Sequence, residues 1–594
     1  MCDPRSSTAA SSPLIGVPCF ACHICWSLCD LPDTRQALAV ENGANQAQIV
    51  LLFFVGDRLQ LSPFLHHPWP TSGHQLRQSS RPSLLEMYNA TEKSLYLEAI
   101  GVAMDKGFHQ KFIQIHTEYL SEKEAHGNCM FIYWHRIMLL GYENMLRSLD
   151  PKFQCLTLPY WDHVSARARR STGTCTNLLS CSPFLADSSG DMAGTSKNLI
   201  IYNVSIPVTS SPSSSATTCM NRFPLSQFCG NNTGCAKCIT RKTRTAMSST
   251  AYPDSASFTS VYQQIFSSNN SYTFTTQVER GVHNTIHSAL GGVMAYFQSP
   301  ADPIFYLHHA LVDLLQVIYL KCQLGGENSL LTAGAKGNDS RWFNSCARRT
   351  SGSYSTADNI TIRGFANDGK TVVNVWQDPK NMLYPFFKDL PYKYADYVDA
   401  KDLGNYSYTY ALSGGLATFY EKCWASTQVS ATSTTLLADE RQHWPRGRDR
   451  GNLYPIIEPG TSYDEKVKRW NIALYEAARI VGFEEAAAKE QMEMVMCQYQ
   501  EDCLGGVVDY TDLFRANFGV QGHPRCYTLL QYLDSGDQVI GIPQWKSITN
   551  RFLPCAAYRK KEAPVSDFVK AVSELKKSLE RSKSPDDYVA ATFF

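Results

Sequence analysis

The sequence predicts a mainly α fold with disulfide-rich loop insertions and a smaller C-terminal α-rich domain. Three observations carry this: apolar residues recur at helix spacing in several separated stretches, cysteines crowd into the polar segments between them, and 594 residues exceed the ~250–300 at which one core usually stops growing. At 44% hydrophobic and 12% aromatic, the chain has ample material for burial. Its 55 Lys plus Arg against 54 Asp plus Glu leave a net charge of +1, so no sequence-wide basic field exists to hold nucleic acid. The longest apolar run, Ile49 to Val55, has only seven residues, too few for a transmembrane span.

Residues 1–82 mix Ser, Pro, five cysteines and that apolar run, and are assigned no fold. The run could be the core of a secretory signal, but it lies some 48 residues from Met1 and no basic segment opens the chain. Cys19, Cys22, Cys25 and Cys29 with His23 are too crowded for the separated ligand pairs of a zinc finger. A larger domain is expected over residues 83–425. Helical patterning begins near Leu84, and Phe108, Phe112, Ile115, His116 and Tyr119 share one face. Phe131, His135, Met138, Tyr142, Met145 and Leu149 form a second stripe, ended by Asp150 and Pro151. Residues 163–260 are polar and carry six cysteines from Cys175 to Cys238, which reads as an insertion stapled by disulfides. Zinc on Cys229, Cys235 and Cys238 is the alternative, without a nearby histidine to complete it.

Helical signals return at Val278 to Leu290 and Pro303 to Leu320. The polar, proline-bearing stretch 426–458 reads as a linker, and residues 459–558 as a cysteine-containing helical domain. There Val467 to Ala488 and Glu490 to Cys497 favour helix, with Cys497, Cys503, Cys526 and Cys555 as staples; residues 559–594 form a charged tail. Twenty cysteines point to an oxidising compartment and secretion. Sequons at Asn89, Asn203, Asn231, Asn269, Asn338, Asn359 and Asn405 point the same way and predict a glycoprotein.

The histidines carry the chemistry. His116, His126 and His135 form one block, and about 150 residues later HNTIH places His283 and His287 at i and i+4 on one helical face. DPIFYLHH then adds His308 and His309. A lone histidine on an apolar face is most often a hydrogen-bonded core residue, but a buried cluster of imidazoles without clustered carboxylates favours copper or zinc. HNTIH has Asn284 where a zinc protease needs its glutamate base, which removes that reading.

Together HGNCMFIYWHR (126–136), LPYWD (158–162), HNTIH and DPIFYLHHALVD (302–313) resemble the tyrosinase family over roughly residues 83–425, with YSYTY near Tyr406 closing the core. The resemblance implies a four-helix-bundle dicopper core. It places one copper ion on His116, His126 and His135 and a second on His283, His287 and His309, with His308 as a neighbour. His109 is the alternative to His116. The reaction implied is oxidation of monophenols and o-diphenols to o-quinones by dioxygen, since two cuprous ions together supply the two electrons that one cannot. A phenolic small molecule and dioxygen are then the partners.

The resemblance also places Glu279 and Asn284 where similar enzymes hold a water that helps deprotonate a monophenol. A helix-start acid and a surface amide are the alternative account of these two. Asp162, Arg136 and Asp313 resemble residues that orient ligands or fasten helices, and simple salt bridging accounts for them equally. Tyr296 or Phe297 falls where relatives set a bulky residue over the second copper. His163 departs from the tryptophan of many relatives, and Glu124 stands where one subgroup has a cysteine crosslinked to histidine. Two other readings share the ligand set: a catechol oxidase without monophenolase activity and a hemocyanin-like oxygen carrier. The C-terminal domain is expected to act as an intramolecular shield over the copper cleft.

Overall fold

A computed structural model describes residues 53–55, 58–60, 88–185, 194–209, 215–229, 235–325, 331–332, 334–412, 414–423 and 462–558. The chain divides into two compact units, Met1–Gln78 and Ser79–Phe594. In the first, Phe53–Val55 pairs antiparallel with Arg58–Gln60. The cysteine cluster at 19–29, sequon Asn231, the 426–458 stretch and the 559–594 tail lie outside the described residues. The rest of this description concerns the second unit.

That unit is helix-rich, with short antiparallel strand pairs at its edges. Helix α1 (Ala90–Asp105) opens with a capping box, in which Asn89 accepts from the Glu92 N–H and Glu92 accepts from the Asn89 N–H. Helix α2 (Phe108–Thr117) is shorter than its stripe predicted. Glu118 adopts an extended conformation, and its carboxylate accepts from the N–H groups of Leu120 and Ser121, capping α3 (Tyr119–Ala125). The helical register restarts there, so Tyr119 is 67% exposed instead of continuing the buried face. Helix α4 (Phe131–Ser148) matches its predicted span, with His135 buried.

After α5 (His163–Ser171), the insertion is held by Cys175–Cys181, Cys219–Cys238 and Cys229–Cys235, so its cysteines pair with one another instead of holding zinc. Helices α6 (Phe258–Phe266) and α7 (Ser271–Val278) lead into a π-helical turn, Glu279–His283, before α8 (Asn284–Leu290). The sequence predicted one helix from 278 to 290. Gly281 breaks it: its φ and ψ are −84° and −115°, and a Cβ there would stand 2.2 Å from Gln264 Oε1, which accepts from the Val282 N–H at 2.8 Å. Only glycine admits that approach. The long helix α9 (Ile304–Leu324) packs along α4.

Arg136 on α4 and Asp313 on α9 form a buried ion pair with Nε to Oδ1 at 2.6 Å, while Tyr408 and Tyr410 of the YSYTY segment both donate to Asp313 Oδ2 at 2.6 Å. These residues fasten helices and the closing segment together. Asp162 caps α5 by accepting from the Ser165 N–H. Helix α10 (Gly414–Lys422) is tied back to α9 by Cys322–Cys423.

The C-terminal region comprises α11 (Ser462–Ile480), α12 (Glu485–Cys503), α13 (Asp512–Phe518), α14 (Arg525–Ser535) and α15 (Trp545–Phe552). The predicted helix to Ala488 stops earlier because Gly482 takes φ +99°, a left-handed turn that ends a helix readily at glycine. Cys497–Cys526 and Cys503–Cys555 staple this region as expected. Its main seam with the core sets α12 along α6 and near α5, where Arg167 donates to Gln500, Lys489 to Tyr262 and Tyr499 to the Ser171 carbonyl. Among the described residues no helix is long and apolar enough to cross a membrane.

Candidate metal centre

Six segments of the chain deliver six buried imidazoles to one place. His116 comes from the end of α2, His126 from the turn after α3, His135 from α4, His283 and His287 from the π-turn and α8, and His309 from α9. One ring nitrogen from each of His116, His126 and His135 lies within 4.8 Å of the others, and the same holds for His283, His287 and His309. The two groups adjoin, since His135 and His309 stack with centroids 4.3 Å apart and planes 16° from parallel. Phe131 and Phe305 pack against rings of both groups and keep the interior apolar.

Hydrogen bonding fixes which nitrogen points inward. A carbonyl can only accept, so Nδ1–H of His116 donates to Phe297, that of His135 to Phe131 and that of His287 to Met294. Their Nε2 atoms are therefore bare lone pairs. His116 and His135 bring Nε2 to Nε2 at 3.4 Å, as do His287 and His309. In addition, His283 Nε2, His126 Nδ1 and His309 Nδ1 are buried without a hydrogen-bond partner. Two facing bare acceptors, those of His116 and His135, repel one another in an apolar pocket unless a cation lies between them, and with the unpartnered ring nitrogens of His126, His283 and His309 they fit a nitrogen-preferring metal. Burial lowers the pKa of His116 to about 3 and of His287 to about 4, which keeps the rings neutral and available.

The neighbouring histidines bond residues outside the two triads, although His308 Nε2 is buried without a hydrogen-bond partner. His109 bonds Tyr142 Oη through Nδ1 and the Ala301 carbonyl through Nε2, each at 2.9 Å, so it is a core residue. His308 turns its Nδ1 to His163 Nε2 at 2.9 Å, and His163 Nδ1 meets Tyr252 Oη at 2.7 Å. This buried chain occupies the place where the sequence departs from tryptophan. Glu124 is bound by Arg348, Thr361 and Tyr394, and Cys129 is disulfide-bonded to Cys346, which excludes it as a thioether partner.

Glu279 lies within a helical run and not at a helix start. Its Oε1 accepts from the Gly127 N–H at 2.8 Å, linking the π-turn to the residue after His126. Burial pushes the carboxyl up to about 7, against the Gly127 hydrogen bond and the nearby Arg280 and Arg349. Asn284 is buried, and its Oδ1 meets His283 Nδ1 at 2.9 Å. Phe297 corrects an expectation: its ring stands 5.1 Å from His126 and 6.5 Å from His116, against the first triad and not the second.

Helix α13 reaches this pocket. The Phe518 ring lies 5.8 Å from His126, 5.9 Å from His287 and 4.5 Å from Phe297, and Phe514 lies 6.4 Å from His287. The segment is tied down by Tyr510 donating to the Arg280 carbonyl, the Thr511 N–H donating to Ser288 Oγ, and Asn517 donating to the Ala295 carbonyl. Sequence reasoning missed both phenylalanines; the one available signal was their i,i+4 spacing in DLFRANF.

The fold and the paired triads define a helical, histidine-based metalloprotein. Residues 106–321 match the common central domain of tyrosinase, the domain of the family that the sequence resembles. It is 29% identical over 239 residues to a tyrosinase of Streptomyces antibioticus, covering 38% of this chain and 77% of that one. A tyrosinase of Streptomyces lincolnensis is 28% identical over 236 residues, with the same 38% and 77% coverage. Grixazone synthase of Streptomyces griseus is 27% identical over 251 residues, covering 38% and 78%. A polyphenol oxidase structure from Thermothelomyces thermophila aligns with TM-score 0.36 and 16% identity, covering 56% of this chain and 89% of that one. The match to that domain supports copper binding and an oxidoreductase.

Proposed function

We propose that this protein oxidises monophenols and o-diphenols to o-quinones with dioxygen, using two copper ions, one held by His116, His126 and His135 and one by His283, His287 and His309. The observation that carries the reading is the pair of Nε2 to Nε2 approaches at 3.4 Å, one in each triad, among buried ring nitrogens without hydrogen-bond partners. Bound copper would supply the exchange of electrons between phenol and dioxygen. The chain's own residues do the rest. Phe131, Phe297 and Phe305 exclude water and offer flat apolar faces to a phenol ring. Glu279, held near 7, is suited to accept the phenolic proton at neutral pH, while Asn284 holds His283 Nδ1 and so fixes that ring's orientation.

The C-terminal domain, residues 459–558 on this reading, serves as an intramolecular cover: Phe518 occupies the position beside His126 and His287 that a substrate ring needs. The disulfides, together with the exposed sequon asparagines Asn89, Asn203, Asn269, Asn338, Asn359 and Asn405, support secretion and glycosylation. Oxygen uptake by the copper-loaded chain, before and after limited proteolysis within 426–458, tests the proposal. Uptake on both a monophenol and a catechol, rising after cleavage, is expected. Uptake on the catechol alone would make it a catechol oxidase, reversible oxygen binding without turnover a carrier, and unchanged rates after cleavage would remove the covering role.

A further inference from the structure

Resting on the proposed phenol oxidation, we infer that Arg349, with Arg280 beside it, makes the mouth of the copper pocket select phenols that carry a carboxylate over phenols that carry an amine. Arg349 lies outside the segment matched to the tyrosinase central domain.

The solvent edge of the pocket is at His126. It is 5% exposed, whereas the other five imidazoles are exposed by 2% or less. Arg349 sits on that edge, with Nη1 3.3 Å from the His126 carbonyl, and a Cβ on Gly127 would stand 3.4 Å from its Cδ. The Gly127 N–H in turn donates to Glu279, and the next residue, Arg280, is exposed. Both guanidinium groups lie close enough to Glu279 to act on its carboxyl. Arg349, Arg280, Glu279 and the rim of His126 are thus contiguous.

The charge balance of this edge is positive. Arg349 and Lys123 share Glu122, and Arg280 has no ion pair among the described residues. The other acids nearby are committed, Glu118 to Arg363 and Glu124 to Arg348. Three cations therefore face two carboxyls, Glu122 and Glu279. A phenol that takes the place of Phe518 enters beside His126, the edge on which Arg349 sits, so a substituent on its ring is presented to these cations. A carboxylate there gains an attractive partner, and an ammonium meets like charge.

The test uses the full copper-loaded chain carrying F518A, assayed on 3,4-dihydroxyphenylpropionate, dopamine and 4-methylcatechol at low and high salt. The expected result is a KM about five-fold lower for the acid than for the amine at low salt, a size typical of a partly exposed ion pair, with the gap shrinking at high salt. R349Q should bring the two KM values together, and R349K should keep most of the gap. If 4-methylcatechol is oxidised but acid and amine have equal KM, or if R349Q leaves the gap intact, the inference fails and the proposed function stands. If none of the three is oxidised, the proposed function fails and this inference with it.

Discussion

The triad pocket and the seam between α12 and the core both bury polar groups, but they leave them in opposite states. In the pocket the atoms without partners are ring nitrogens of His126, His283 and His309, beside Nε2 to Nε2 approaches of 3.4 Å within each triad. At the seam they are Asp254 Oδ2, Glu493 Oε1 and Arg167 Nε, atoms of groups with both signs of charge. Glu493 is met there by Arg525 at 2.7 Å, and Arg167 by Gln500 at 2.7 Å. The pocket lacks a positive charge, which an added ion supplies. The seam already holds its counter-charges, so its balance is set by protonation and by whether the C-terminal region stays docked.

The largest effect that would break this contrast is expected inside the pocket. H287A removes one lone pair from the second triad, and metal analysis should then find one copper per chain with o-diphenol turnover lost. Two coppers in that variant would show that the triad is not the binding unit. Outside the pocket, D313A leaves Arg136 buried without its carboxylate and strips two tyrosine hydroxyls of their acceptor. A loss of roughly 3–5 kcal/mol in denaturant unfolding is expected.

At the seam, burial raises the Asp254 carboxyl from 3.8 to about 6, with Arg167 opposing the shift. A carboxyl whose pKa is higher in the folded state favours folding most below its unfolded value. That contribution is lost as pH rises toward 6, and by Wyman linkage it amounts to on the order of 3 kcal/mol. Comparing wild type with D254N between pH 4 and pH 7 by thermal unfolding should show the wild type losing stability relative to the variant as pH rises. Parallel profiles would contradict the assignment. The smallest expected effect is catalytic: E279Q should lower monophenol turnover by about 10²-fold. Its rate on a pre-formed catechol should fall far less, which oxygen uptake on the two substrates separates.

Much of the site was legible because its signals are local. HNTIH fixes the i,i+4 spacing of His283 and His287, DPIFYLHH sets His309 on its helix, and the stripe through Phe131 and Met138 fixes the inward face of His135. The disulfide character of Cys175–Cys238 was legible for the same reason. What escaped depends on contacts far apart in the chain. The π-turn is set by Gln264 against Gly281, which no helical periodicity encodes. Phe297 stands over the first triad because its carbonyl meets His116, 181 residues earlier. Phe518 reaches the pocket from a region whose one mark is its i,i+4 spacing with Phe514, and Arg349 stands at its edge from a region that carries none. The restart of the register at Glu118 was hidden because its capping carboxylate looks like any surface acid.

The most direct test of the account is the copper content of the purified full-length chain after reconstitution and removal of loosely bound metal. Two copper ions per chain, falling to one in H287A and to one in H135A, is the predicted result. A single ion that either substitution abolishes, or copper that neither displaces, would contradict the claim that two neighbouring triads each hold a metal.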